Sequence, residues 1–248
     1  MNAITKLEMK KNLQDRGLIF WTLILPIVFT VLFIAVFTSG TGETESRQVV
    51  LSIVPGYTIM FVFFIMISMT ESFIKDGNTG MVARVASTPS QPYLFLLGKW
   101  LPYMYIVMMQ IVILLLFGKV VYDIPLEQPV YLLILSVFLT FMVTGLGLAL
   151  AVAVKTNNMG IALTQVIALG GAVLGGLWMP VDMMPDILQT ISALLPQYWA
   201  HQAFQDAMAG TIGYADLLQT SLILLGFGLA GFILALLCYP NFLKRAKG

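Results

Sequence analysis

Six stretches of the chain are almost free of charged residues: Leu18 to Thr38, Ile53 to Phe73, Leu101 to Tyr122, Val130 to Val154, Gly160 to Trp178 and Leu217 to Tyr239. A helix of about 20 residues spans the ~30 Å hydrocarbon core of a bilayer, so the pattern predicts six transmembrane helices. The expected fold class is all-α, a polytopic membrane protein whose residues 1–248 form one transmembrane domain. Pro26 lies inside the first stretch, and Thr41-Gly42-Glu43 follows it instead of a small-residue cleavage site. That stretch is therefore expected to be a retained crossing and not a cleaved signal peptide.

Three segments outside the crossings carry their own pattern. Residues 1–17 have the makings of a short helix lying at the membrane surface, with Ala3, Ile4 and Leu7 on one side. Between the second and third crossings, Glu71 to Trp100 is longer than two adjacent helices need. Gly77 and Gly80 permit a sharp turn there, Met81 to Ser87 fits about two helical turns, and Pro89 and Pro92 stop them. The third segment, residues 179–216, contains Pro180, Pro185 and Pro196 but no Lys or Arg. Within it Ile187, Leu188, Ile191, Leu194 and Leu195 share one helical face. This run is too short to cross, so a helical hairpin is expected, interfacial or re-entrant, with Trp178, Tyr198 and Trp199 at headgroup level.

Charge sets the orientation. With the N-terminus inside, Lys6, Lys10, Lys11, Arg16, Lys75, Arg84, Lys99, Lys155, Lys244, Arg245 and Lys247 collect on one side, and only Arg47 and Lys119 on the other. Basic residues are retained on the cytoplasmic side of short loops, so both termini are expected in the cytoplasm and the hairpin outside, in a multi-pass protein of the cell membrane. Composition agrees: 59% of residues are hydrophobic, 10% are charged, and the mean hydropathy is +0.91.

The same inventory removes several kinds of chemistry. Gly98-Lys99 is followed by Trp100 and Gly118-Lys119 by Val120, so neither completes a phosphate-binding loop. One histidine, His201, and one cysteine, Cys238, cannot build a His-Cys metal centre, and His201 reads as an interfacial polar residue. No charge lies near the middle of a crossing, which argues against an ion-coupled carrier. Polar positions within the crossings are Gln110, Ser136, Thr140, Thr144, Thr164 and Gln165. Of these Gln110, Thr140, Thr144 and Gln165 are candidates for a substrate path, with interhelical hydrogen bonding the plainer role. Gly171 with Gly175, and Gly226 with Ala230, mark sites of close helix approach.

Two motifs then carry a resemblance. Gly80, Thr88-Pro89 eight residues later, Gly98-Lys99 nine residues past that proline, and Leu101-Pro102-Tyr103 follow the cytoplasmic pattern of the ABC-2 permeases. Met179-Pro180, Met184-Pro185 and Pro196-Gln197-Tyr198 resemble the same family's second signature. The resemblance implies the membrane-spanning subunit of an ATP-driven exporter of an amphipathic drug, antibiotic, peptide or lipid-like molecule, with no catalytic residues and no metal of its own. ATP and Mg would be bound by cytoplasmic ATPase subunits, and a second permease copy or paralogue would complete the complex among membrane lipids, without nucleic acid. It also implies a coupling helix, with Asp76, Gly80, Met81, Val82, Arg84, Val85, Thr88 and Pro89 as its candidate residues. The family usually carries a glutamate shortly before the first glycine, where this chain has Asn78, leaving Glu71 or Asp76 as the acid available. The competing readings are a non-transporting scaffold or immunity protein, and a membrane enzyme acting on lipid. The lack of paired His, Asp or Glu within the helices weighs against the enzyme.

Overall fold

The computed structural model describes residues 2–39, 42–87, 92–179 and 181–247. Thr88, Pro89 and Pro180 lie outside that set, and the side chains of Ala3 and Ile4 are likewise not described. In chain order the helices are α1 (Asn2–Gln14), α2 (Arg16–Ile19), α3 (Leu25–Thr38), α4 (Glu43–Val62), α5 (Ile65–Asn78), α6 (Met81–Ala86), α7 (Pro92–Tyr122), α8 (Pro129–Ala153), α9 (Asn157–Leu174), α10 (Asp186–Ser192), α11 (Pro196–Ala209) and α12 (Tyr214–Lys247). Among the described residues six helical spans are long and apolar enough to cross a membrane, and the protein is an all-α polytopic membrane protein.

Local chemistry explains where the spans begin and bend. The Asp15 carboxylate accepts the backbone N–H groups of Gly17 (2.8 Å) and Leu18 (3.1 Å), capping α2 where the first crossing starts. Pro26 has no N–H and its ring crowds the preceding turn. The helix responds by widening to a π-turn over Phe20–Ile24, in which the Leu25 N–H reaches the Phe20 carbonyl. In the second crossing α4 passes into α5 through tighter bonds at Phe63 and Phe64, whose N–H groups reach the carbonyls of Met60 and Phe61 (both 3.2 Å).

That second crossing is the centre of the protein. Within its most apolar stretch 83% of residues are buried, against 22% in the first crossing and 28% in each of the last two. The outer crossings turn apolar side chains such as Val36, Val166 and Leu237 away from the protein, as a lipid environment allows.

Helices α8 and α12 approach each other closely along their backbones. A Cβ added at Gly145 would sit 2.6 Å from the Gly228 carbonyl oxygen, and one at Gly231 would sit 2.6 Å from the Gly145 carbonyl carbon and the Leu146 nitrogen. Glycine is what lets these two spans touch along their backbones. Gly226, expected to serve in this way, has nothing within 4 Å of its Cβ position, so the contact belongs instead to Gly228 and Gly231.

The fifth crossing ends at Leu174, earlier than Trp178, and the chain then folds into the pair α10 and α11. Helix α10 turns Ile187 outward, 75% exposed, as is Leu194 just after it at 71%, while its polar Ser192 is fully buried. The Ser192 hydroxyl donates to the Leu174 carbonyl and ties α10 to the end of α9. Helix α11 packs among α4, α8, α9 and α12, and ends at Gly210 in the left-handed conformation.

Replacing Gly231 by Val is expected to destabilise the bundle by about 1–3 kcal/mol through overpacking against the α8 backbone. Gly226→Val, on the open side of the same helix, should leave the melting midpoint of the purified protein unchanged.

Candidate functional site

At the end of the bundle that carries α1, four charged groups meet, three of them beneath the surface. Lys99, on α7, has its side chain wholly buried. Its Nζ lies 2.5 Å from the Asp76 carboxylate of α5 and 3.8 Å from that of Glu8 on α1, and it donates to the Ser72 hydroxyl at 2.9 Å. Lys11 closes the set from the rim, 3.0 Å from Glu8 and 3.4 Å from Asp76. The Ser72 hydroxyl donates onward to Glu8 at 3.1 Å. The Lys99 ammonium also lies 4.6 Å from the centre of the Phe73 ring.

The two carboxylates balance the two ammonium groups, and their mutual attraction offsets the cost of burying a lysine beside a glutamate. Partial burial works against the Lys11 ammonium, yet its hydrogen bond to Glu8 and the charges of Glu8 and Asp76 hold its pKa above the ordinary value. The arrangement pins α1 to α5 and α7. Asp76, expected to reach an outside partner, is 4% exposed and committed to Lys99 and Lys11, so it holds the fold from within.

The short helix expected after Gly80 is present as α6. Gly80 takes a left-handed conformation (φ 71°), which glycine adopts without penalty, and reverses the chain out of α5. Helix α6 lies against α5 and α12. Val82 is 1% exposed, so it anchors α6 to this chain and is not available to a partner; Val85 is partly buried against the same core. Arg84 is exposed and Met81 half-buried.

The candidate path residues separate. Thr144 accepts the Trp100 indole N–H at 2.9 Å and donates to the Thr140 carbonyl at 2.7 Å, while the Thr140 hydroxyl faces the Met108 sulfur at 3.9 Å. Both threonines are thus bound into the contact between α7 and α8. Gln110 is 1% exposed with neither amide atom hydrogen-bonded, and Gln165 stands on the exposed side of α9.

At the other end of the bundle, Pro196 opens α11, Pro185 precedes α10, and Tyr198 stacks edge-on against Trp199. Gly171 and Gly175 of α9 make room for the Gln197 side chain of α11. His201 is 4% exposed and its Nε2 lies 3.1 Å from the Ser52 carbonyl of α4, so it is a buried tether and not an interfacial residue. Burial lowers its pKa to about 4 despite that hydrogen bond, so the ring is neutral near pH 7 and donates from Nε2.

Sequence reasoning placed Lys99 in a loop motif and missed its partners. The signal was nevertheless present: a lysine among Leu96, Leu97, Trp100 and Leu101 needs counter-charges, and the acids of α1 and α5 are the ones topology brings near.

Residues 1–209 match the family described as ABC-2 type transporter. The chain is 28% identical to YvfS of Bacillus subtilis (strain 168), provisionally named a transport permease, across 80% of this chain and 82% of that one. It is 25% identical to the linearmycin resistance permease protein LnrN of the same organism, across 77% of this chain and 48% of LnrN. A likeness of 24% to ABC transporter G family member 20 of Dictyostelium discoideum covers 78% of this chain and 27% of that protein.

Lys99→Met leaves Glu8 and Asp76 sharing one lysine, and is expected to lower stability by about 3–5 kcal/mol. Adding Asp76→Leu restores a neutral Glu8 and Lys11 pair and should recover part of the loss, read as the melting midpoint of each variant in one detergent. No recovery would show that Lys99 acts through packing and not through charge balance.

Proposed function

The chain belongs to the ABC-2 type transporter family, and on that premise we propose that it is the permease of an exporter moving an amphipathic molecule outward with ATP hydrolysed on a separate ATPase chain. The observation that carries the reading is the family match, which runs from the first residue through α1, five crossings and α11. The name of LnrN, a permease for linearmycin resistance, favours a drug or antibiotic as cargo. ATP and Mg belong to the ATPase subunits. The bias of Lys and Arg supports a cell-membrane location with both termini and α6 in the cytoplasm and the α10–α11 hairpin outside.

In this reading α6 is the contact with the ATPase. Arg84 and Met81 present themselves to it, Val85 contributes at the edge, Gly80 sets the angle, and Val82 and Asp76 fix the helix and its parent to the bundle. Thr88 and Pro89 continue the same motif. ATP binding moves the permease only to the extent that it favours one arrangement of the helices over another. A second copy or paralogue completes the complex, and Gln165, a polar side chain on the open side of a crossing, supports a protein neighbour there.

Arg84→Glu is expected to leave the protein inserted and abundant while weakening co-purification of the ATPase by about tenfold and reducing export in proportion. Normal association would remove α6 from the coupling role. Gln110→Leu relieves a buried amide with no partner, so its melting midpoint should hold or rise. Loss of export in that stable variant would assign Gln110 to the substrate path, and unchanged export would exclude it.

A further inference from the structure

Between α1, α5 and α7 lies a polar cavity of about 450 Å³, and nothing in the charge network fills it. Lys11, Glu8 and Asp76 line it, and Lys99 behind them completes their charge balance. Asn12 is different. Its side chain lines the same cavity and is 7% exposed, yet its amide nitrogen makes no hydrogen bond of good geometry, only a weak interaction with the Tyr103 hydroxyl. A buried donor so poorly satisfied is costly to the fold, and a ligand oxygen would remove that cost.

The cavity also carries charges of both signs that the fold does not use. Glu71 and Lys75, one turn apart on α5, both line it, both are exposed, and neither is in an ion pair among the described residues. Asp15 adds a second carboxylate, with one oxygen engaged in capping α2. A simple anion would meet the two carboxylates, and a simple cation would meet Lys75 and leave Asn12 unsatisfied. A group bearing an ammonium and a phosphate answers all of them.

Beside the polar cavity runs an open apolar groove lined by Met9, Leu13 and Leu101, and Gln14 borders both. Lys6 and Lys10 flank it. The geometry is that of a headgroup site continuous with a place for an acyl chain. We propose that the cavity binds the headgroup of a zwitterionic phospholipid from the leaflet on which α1 lies, with its ammonium toward Glu71 and Asp15, its phosphate toward Lys75 and the Asn12 amide, and its chain along Met9, Leu13 and Leu101.

The test is a titration of the full-length protein, stripped of lipid in detergent, followed by native mass spectrometry. The probes are dioleoyl-phosphatidylethanolamine, dioleoyl-phosphatidylglycerol and soluble phosphoethanolamine. The ethanolamine lipid is expected to saturate at one molecule per chain and to bind about tenfold more tightly than either other probe. Asn12→Leu and Glu71→Gln should each weaken it about fivefold, with the glycerol lipid, which carries the same phosphate, also weakened by the first but strengthened by the second. Glu71 is exposed, so its variant tests the site even if Asn12→Leu perturbs α1. Equal binding of the two lipids, or ethanolamine-lipid binding unchanged in both variants, would overturn the site. Phosphoethanolamine binding as tightly as the lipid would overturn the role of the groove and make the ligand a soluble headgroup.

Discussion

The buried meeting of Lys99 with Glu8 and Asp76 is the interaction on which the arrangement at one end of this protein depends. A chain with 10% charged residues has few ions to spare, and it places three of them out of solvent with Lys11 as the rim partner. Desolvating an ion pair is expensive, and attraction between the charges offsets that only when every lone pair and proton has a partner. Here Ser72 and the ring of Phe73 supply the remainder. The consequence is geometric: α1, which has few apolar residues with which to hold itself, is fixed by charge to the second and third crossings.

That fixed point makes sense of the elements around it. Helix α5 carries Asp76 and then, within one turn, the Gly80 reversal that launches α6. Any displacement of α6 is therefore applied close to the charge network. At the opposite end, His201 and Gln197 seat α11 against the second and fifth crossings through short polar contacts and glycine gaps. The most buried crossing thus touches a specialised element at each end, one a short helix and the other a folded-back pair.

The six crossings were legible because hydrophobic length is a one-dimensional property, and lipid allows little else. The short helix after Gly80 was legible from its flanking glycines and prolines. The α10 segment was legible as amphipathic, and its burial is the reverse of that in a soluble protein: Ser192 faces the protein and Ile187 faces out. Partnerships were not legible. Gly226 and Ala230 share the spacing of a contact pair, yet Gly228 and Gly231 make the contact, because which side of α12 meets α8 depends on the whole bundle. Asp76 and His201 looked exposed for the same reason, since a polar residue near a helix end reads as solvated until a neighbour from elsewhere in the chain covers it.

The glycine crossing of α8 with α12 also orders events in time. The fourth crossing is made well before the sixth, so Gly145 has no partner while the intervening residues are being synthesised. Arg245, near the end of α12, donates to the carbonyls of Val152 and Val154 where α8 leaves off, and those groups too await the last helix. Nascent chain therefore enters the bilayer with its densest seam open. The seam closes only once α12 has been made, and until then the Gly145 side of the fourth crossing stands without its helix partner.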